Sequence, residues 1–95
     1  MAAYVYIMAS KRNGTLYTGV TSDIHKRTYE HRLGIIEGFT TQYSCKHLVF
    51  IETHETMPLA IQREKTIKGW KRDWKLAFIE ENNPQWDDLY DTLNH

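Results

Sequence analysis

Tyr4 to His31, YVYIMASKRNGTLYTGVTSDIHKRTYEH, is the stretch from which the fold is read. Tyr4-Val5-Tyr6-Ile7-Met8 is dominated by aromatic and β-branched residues, which favour a pleated strand. Its apolar run is nearly continuous rather than alternating, which predicts burial on both faces and a central place in a sheet. The chain then turns through Lys11-Arg12-Asn13-Gly14, where both Asn13 and Gly14 tolerate positive φ, and residues 15–20 return as an antiparallel strand. Thr21, Ser22 and Asp23 are all competent N-caps for a helix from Ile24 to about Leu33. Gly34 or Gly38 would end that helix.

Outward from this unit the pattern continues in short elements. Residues 34–45 are polar and punctuated by glycine, and read as a loop. His47 to Thr53 is a third strand with a near-continuous apolar centre. Thr56 is a candidate cap and Pro58 suits a first helical turn. That helix runs through Ala60, Ile61, Glu64, Lys65, Ile67 and Lys68, and Gly69 weakens or stops it. Asp73 is a plausible cap for a third helix, whose Trp74, Ala77 and Phe78 recur at i, i+3 and i+4 as its expected buried face. Asn82-Asn83-Pro84 stops it. Residues 84–95 form an acidic tail, with Trp86, Leu89, Tyr90 and Leu93 as an apolar stripe expected to dock on the body. Hairpin, helix, strand and two helices predict an α+β protein: one domain over 1–95, with a three-stranded, mostly antiparallel sheet flanked by helices.

Charge is balanced overall, 12 basic against 12 acidic residues, so net charge predicts neither nucleic acid nor membrane binding. Its distribution is more informative. Arg63, Lys65, Lys68, Lys71, Arg72 and Lys75 face only Glu64 and Asp73 between positions 63 and 75, whereas everything from Glu80 onward lacks Lys and Arg. That asymmetry predicts a basic working face and an acidic tail. Cys45, the single cysteine, has no partner for an intrachain disulfide, which fits a reducing compartment. No window approaches the ~20 apolar residues of a membrane span, and the N-terminus has no signal-peptide pattern. A cytoplasmic protein without a membrane partner is expected.

Several residues could carry chemistry, each with a plain structural alternative. Tyr6 and Tyr17 lie on paired strands and could orient a water or contact a phosphate, yet strand tyrosines are also common packing residues. Arg27 and His31 share one helix face at i, i+4. Guanidinium suits phosphate oxygens and imidazole suits proton transfer, although both residues also populate ordinary exposed helix surfaces. Glu64, in a basic helix, could hold Mg²⁺ with waters and substrate phosphate completing the shell, or could simply pair with Lys68. The five histidines and one cysteine show no zinc-ligand spacing, and no P-loop, dinucleotide fingerprint or nucleophile elbow occurs.

Taken together, Tyr4-Val5-Tyr6, Tyr17-Thr18-Gly19, Asp23-x3-Arg27-x3-His31 and Arg63-Glu64 opening a Lys-rich helix resemble the GIY-YIG nuclease domain. Ile67-Lys68-x-Trp70-Lys71 and Asn83-Pro84-x-Trp86-x-x-Leu89 are similar to the small stand-alone bacterial group, related to the N-terminal nuclease domain found in the excision repair nuclease. Residues 4 to about 90 are covered. Two positions depart: Tyr4 stands where the first tripeptide has Gly, and Thr18 where the second has Ile. Neither change removes a chemical group.

The resemblance implies divalent-metal-dependent hydrolysis of DNA phosphodiester bonds with Mg²⁺ (or Mn²⁺), in repair or recombination. It assigns Tyr6, Tyr17, Arg27 and His31 to catalysis and Glu64 to the metal. Lys65, Lys68, Lys71 and Arg72 would hold the nucleic acid backbone. A family asparagine falls on Asn83 or Asn82, as a supporting residue. A free phenol, with pKa ~10, is a poor base near neutrality, so Tyr17 would need the metal or Arg27 beside it. A chain with no attached sequence reader points to branched or single-stranded DNA, cut by a monomer or weak homodimer. A non-catalytic nucleic-acid-binding module and a protein-interaction domain using the acidic tail are the competing readings. All the site assignments require Tyr6, Tyr17, Arg27 and Glu64 to converge.

Overall fold

In a computed structural model, which describes residues 2–34 and 44–94, the strand read first from the sequence is the middle one. β1 (Ala3–Ala9) lies between β2 (Leu16–Thr21) and β3 (His47–His54), antiparallel to both. Around this sheet stand α1 (Ile24–Leu33), α2 (Met57–Lys68), α3 (Arg72–Asn82) and a terminal 3₁₀ helix, Leu89–Asn94. The α+β architecture with a three-stranded antiparallel sheet holds.

The continuous apolar run of β1 has the meaning expected of a strand buried on both sides. Ala3, Val5, Ile7 and Ala9 enter one core with Val49, Phe50, Ala60, Ile67, Ile79 and Trp86. Tyr6 and Met8 enter a second core with Ile24, Cys45 and Leu48, against which Tyr4, Tyr17, Leu89 and Leu93 pack. Alternation along the strand therefore assigns α2 and α3 to one face, and α1 with the 3₁₀ helix to the other. A bulge in β3 pairs Ile7 with Phe50 but Met8 with Leu48, so Val49 is the extra residue. This lets Val49 and Phe50, neighbours in sequence, both reach the first core. The Asn83 side-chain amide donates to the Val49 carbonyl at 3.0 Å and to the Asp87 carbonyl at 2.9 Å.

The caps of α1 and α2 match expectation: Asp23 accepts from the Lys26 amide, Thr56 from the Leu59 amide, and Gly34 closes α1 at φ 70. Gly38 and most of the expected 34–45 loop lie outside the described residues.

Four local expectations need correction. The hairpin turn centres on Arg12–Asn13, with the Gly14 amide donating to the Lys11 carbonyl at 2.9 Å. Only Asn13 takes positive φ, at 57. Gly14 is required for close approach instead, because a Cβ there would fall 2.8 Å from Lys11 Cγ. α3 is preceded by Lys71 without a side-chain cap, and Asp73 lies within the first turn, where its carboxylate still complements the helix dipole. Trp74 is 63 % exposed and Ala77 also faces outward, while Ile79 is fully buried with Leu76 and Phe78 partly so. Ile79 and the pinned Asn83 set the rotation of α3. Trp74, five residues before Ile79, then points about 140° away at ~100° per residue.

The apolar stripe of the tail is also split. Trp86 enters the first core while Leu89 and Leu93 pack on the second, so the chain crosses the open edge of β3 between them. Trp86 holds φ 55, unusual for a bulky residue, with its amide bonded to the Asn83 carbonyl and its indole to Glu80. Asp88 sits at the crossing. It accepts from the Leu48 amide at 3.2 Å, capping an edge-strand donor, and pairs with Arg32. Arg32 in turn stacks 4.6 Å over the Tyr90 ring.

Candidate active site

The hairpin brings the two tyrosines together through its register. Tyr6 on β1 is directly opposite Gly19 on β2, and Tyr17 is two residues earlier on the same face. The Tyr6 ring lies across Gly19, where an added Cβ would stand 2.5 Å from the phenol oxygen and 3.0 Å from Tyr17 Cε1. Gly19 is thus needed for absence of bulk, a reason not visible in the linear sequence. The ring centroids of Tyr6 and Tyr17 are 6.3 Å apart, with the rings tilted by 39°.

His31 is buried, not exposed on a helix surface. Its Nε2 is 3.0 Å from the Tyr6 hydroxyl, and its ring packs 5.2 Å from Tyr17 and 5.6 Å from Tyr6. Tyr17, Tyr6 and His31 therefore form one cluster of rings, with the Tyr6 hydroxyl and His31 Nε2 in hydrogen-bond contact. Burial, then the neighbouring Arg27 guanidinium, pull the His31 pKa down to about 4, so the imidazole is neutral near pH 7. Burial above all, then Tyr17, push the Tyr6 phenol well above its ordinary range, with Arg27 opposing and Glu64 reinforcing. Tyr6 stays protonated and can donate its O–H to an unprotonated Nε2. Among the described residues His31 Nδ1 is a buried polar atom without a hydrogen-bond partner.

Arg27 lies one helical turn before His31 on α1 and is half-buried. It lines a shallow concavity with Thr21, Ser22, Asp23, Lys26 and Glu30, and acts electrostatically on both Tyr6 and His31. Glu64 arrives from α2, which packs on β1 and β2. It shares a stripe with Ala60 and Ile67, both fully buried, and its own side chain is 14 % exposed. A carboxylate between two core residues of one helix is a signal the sequence carried, as Ala60-x3-Glu64-x2-Ile67, but its significance depends on knowing which face is buried. Glu64 lies within electrostatic reach of the Tyr6 phenol and pairs with Lys68 Nζ at 3.2 Å.

No group of three or more His, Cys, Asp or Glu side chains gathers as a metal site among the described residues. One nearly buried carboxylate paired with a half-exposed lysine suits Mg²⁺, which keeps waters and takes substrate phosphates, rather than zinc, which needs several protein ligands.

The expected backbone-binding residues divide. Lys65, Lys68 and Lys71 are exposed. Arg72, also exposed, donates from Nη2 to the Asn13 and Gly14 carbonyls, each at 2.7 Å, tying α3 to the hairpin turn. Arg63 is held by Glu52 at 3.0 Å and stands 5.5 Å over the Trp70 and Phe78 rings. The Asn83 amide is engaged at the β3 bulge, while Asn82 is exposed and bonds the Phe78 carbonyl within its own helix.

The family model of the GIY-YIG catalytic domain matches residues 2–77. UPF0213 proteins of Staphylococcus aureus, strains Mu50 and N315 among them, are 37 % identical over 78 residues, covering 82 % of this chain and 94 % of theirs. The solution NMR structure of a UPF0213 protein from Bacillus halodurans superposes with a TM-score of 0.58 at 25 % identity, over 93 % of each chain. The matched span includes both strand tyrosines, Gly19, Arg27, His31 and Glu64. The chain belongs to the GIY-YIG catalytic domain family.

Proposed function

We propose that the chain is a divalent-metal-dependent endonuclease hydrolysing DNA phosphodiester bonds, directed to branched or single-stranded DNA in repair or recombination. The observation that carries this reading is the bonded Tyr6–His31 pair with Tyr17 packed against both rings, within electrostatic reach of Arg27 and, at Tyr6, of Glu64.

In this mechanism Tyr17 orients the water that attacks phosphorus. The water proton passes to the Tyr17 oxygen as the Tyr17 proton moves to Tyr6, and the Tyr6 proton to His31 Nε2. The new P–O bond forms as the bond to the 3′ oxygen breaks, and the departing 3′ oxygen takes a proton from solvent, to which His31 returns its own. Arg27 stabilises the added negative charge on the phosphate. Glu64 would hold a Mg²⁺ or Mn²⁺, which would supply Lewis-acid stabilisation of the phosphate. Lys65, Lys68 and Lys71 contact the backbone without reading sequence.

Supercoiled plasmid with Mg²⁺ tests the reading. Nicking falls by about two to three orders of magnitude in Arg27→Ala and Glu64→Ala, as expected on losing a charge-stabilising group, with circular dichroism unchanged. DNA binding that survives both changes, with no cleavage by the unaltered protein at any metal concentration, would establish a binding module instead.

A further inference from the structure

The Glu64–Lys68 pair is both an ordinary i, i+4 ion pair and an obstacle. A carboxylate that must receive a divalent cation already has a cation at 3.2 Å. The two partners differ sharply in exposure: the Glu64 side chain is 14 % exposed and set between Ala60 and Ile67, whereas the Lys68 side chain is 52 % exposed. Glu64 is therefore held in place by the fold, and Lys68 by little except the pair itself. The Lys68 ammonium stands half in solvent, so it can leave the pair for water or a phosphate when another cation takes its place at Glu64. The carboxylate is also within electrostatic reach of the Tyr6 phenol, whose ionisation it opposes. A bare, nearly buried Glu64 would be poorly solvated, and Lys68 supplies the compensating charge.

We propose that Lys68 exchanges its charge between two sites: it neutralises Glu64 in the free protein, yields that carboxylate to the metal, and turns its ammonium to a backbone phosphate of bound DNA. A four-carbon stem with a point-like ammonium suits this movement better than a guanidinium fork would. Lys68 is a positioning residue here, because it acts on the metal through Glu64. The exchange links the two ligands: metal frees the lysine for phosphate, and phosphate draws the lysine from the metal carboxylate. By thermodynamic reciprocity each then tightens the other.

This inference rests on Glu64 being the metal carboxylate, and the experiment separates the two. Mn²⁺ binding to the DNA-free protein is followed by titration calorimetry, and DNA binding with non-cleaving Ca²⁺ is followed over a salt series. Lys68→Met should tighten Mn²⁺ roughly three- to tenfold, the effect of removing one nearby competing charge in a water-exposed setting. It should also reduce the salt slope of DNA binding by about one phosphate contact. Lys68→Arg, which keeps the charge, should leave Mn²⁺ affinity close to that of the unaltered protein and controls for folding. Unchanged or weakened Mn²⁺ binding in Lys68→Met, or an unchanged salt slope, overturns the exchange. Mn²⁺ affinity that persists in Glu64→Gln instead overturns the assignment of the metal carboxylate itself.

Discussion

The two faces of β1 are built from alternate residues of one seven-residue strand, yet they serve different ends. On the face of Val5 and Ile7 the neighbours are Phe50, Ile67, Ile79 and Trp86, and the side chains meet as close-packed hydrocarbon and aromatic rings. The face of Tyr6 buries a phenol and an imidazole bonded to each other, with Tyr17 beside them. The first face contributes cohesion. The second retains polar groups where burial shifts their protonation, which is the usual condition for acid–base chemistry. Glu64 connects the faces: its helix packs through Ala60 and Ile67 on the first, while its carboxylate acts on the Tyr6 phenol of the second.

Breaking the apolar face should have the larger effect on stability. Ile79→Ala removes a fully buried side chain and should cost about 2–5 kcal/mol in denaturant unfolding, while the folded fraction keeps its cleavage rate. An equal loss of rate per folded molecule would mean that the faces are not separable.

The polar face should respond to pH. His31 has a folded pKa of about 4 against an ordinary 6.5. Below pH 6.5 the unfolded chain takes up a proton that the folded chain refuses, so stability is complete above 6.5 and declines as pH falls towards 4. The loss is on the order of 3 kcal/mol. Urea midpoints measured across this window should show the decline, and His31→Gln should remove most of it. The acid limb of cleavage should likewise lie near 4 rather than 6.5.

A smaller change sharpens the contrast at one atom. Gly19→Ala places a methyl against the Tyr6 phenol and should cost about 1–3 kcal/mol by overpacking. Its effect on kcat should exceed that of Ile79→Ala, because the displaced group is the bonded tyrosine. Equal kcat in the two variants would remove Tyr6 from the reaction.

Much of the fold was legible because it depends on local rules. An aromatic, β-branched run became the central strand; Asp23 and Thr56 became caps; Gly34 took the left-handed conformation that closes α1. Misreadings arose where rotation or path is decided at a distance. Trp74, Ala77 and Phe78 satisfy helical spacing as well as Leu76 and Ile79 do, and only the anchoring of Ile79 and Asn83 against β3 chooses between them. The tail stripe likewise reads as serving one surface until its path around the β3 edge divides it.

For the candidate site, residue types and spacing determined that Tyr6, Tyr17, Arg27, His31 and Glu64 could serve one chemistry, and the motif pattern related them to a nuclease family. Their environments were decided by tertiary structure. His31 is an ordinary helix residue by spacing and becomes a neutral acceptor only because the sheet buries it against Tyr6. Glu64 is one carboxylate in a basic segment until packing shows that it lies between Ala60 and Ile67. Gly19 is a permissive strand residue until the Tyr6 ring lies across it. The physical reason is shared: propensity and capping act over a few residues, whereas burial, electrostatic reach and steric room depend on which distant elements the packed chain brings together.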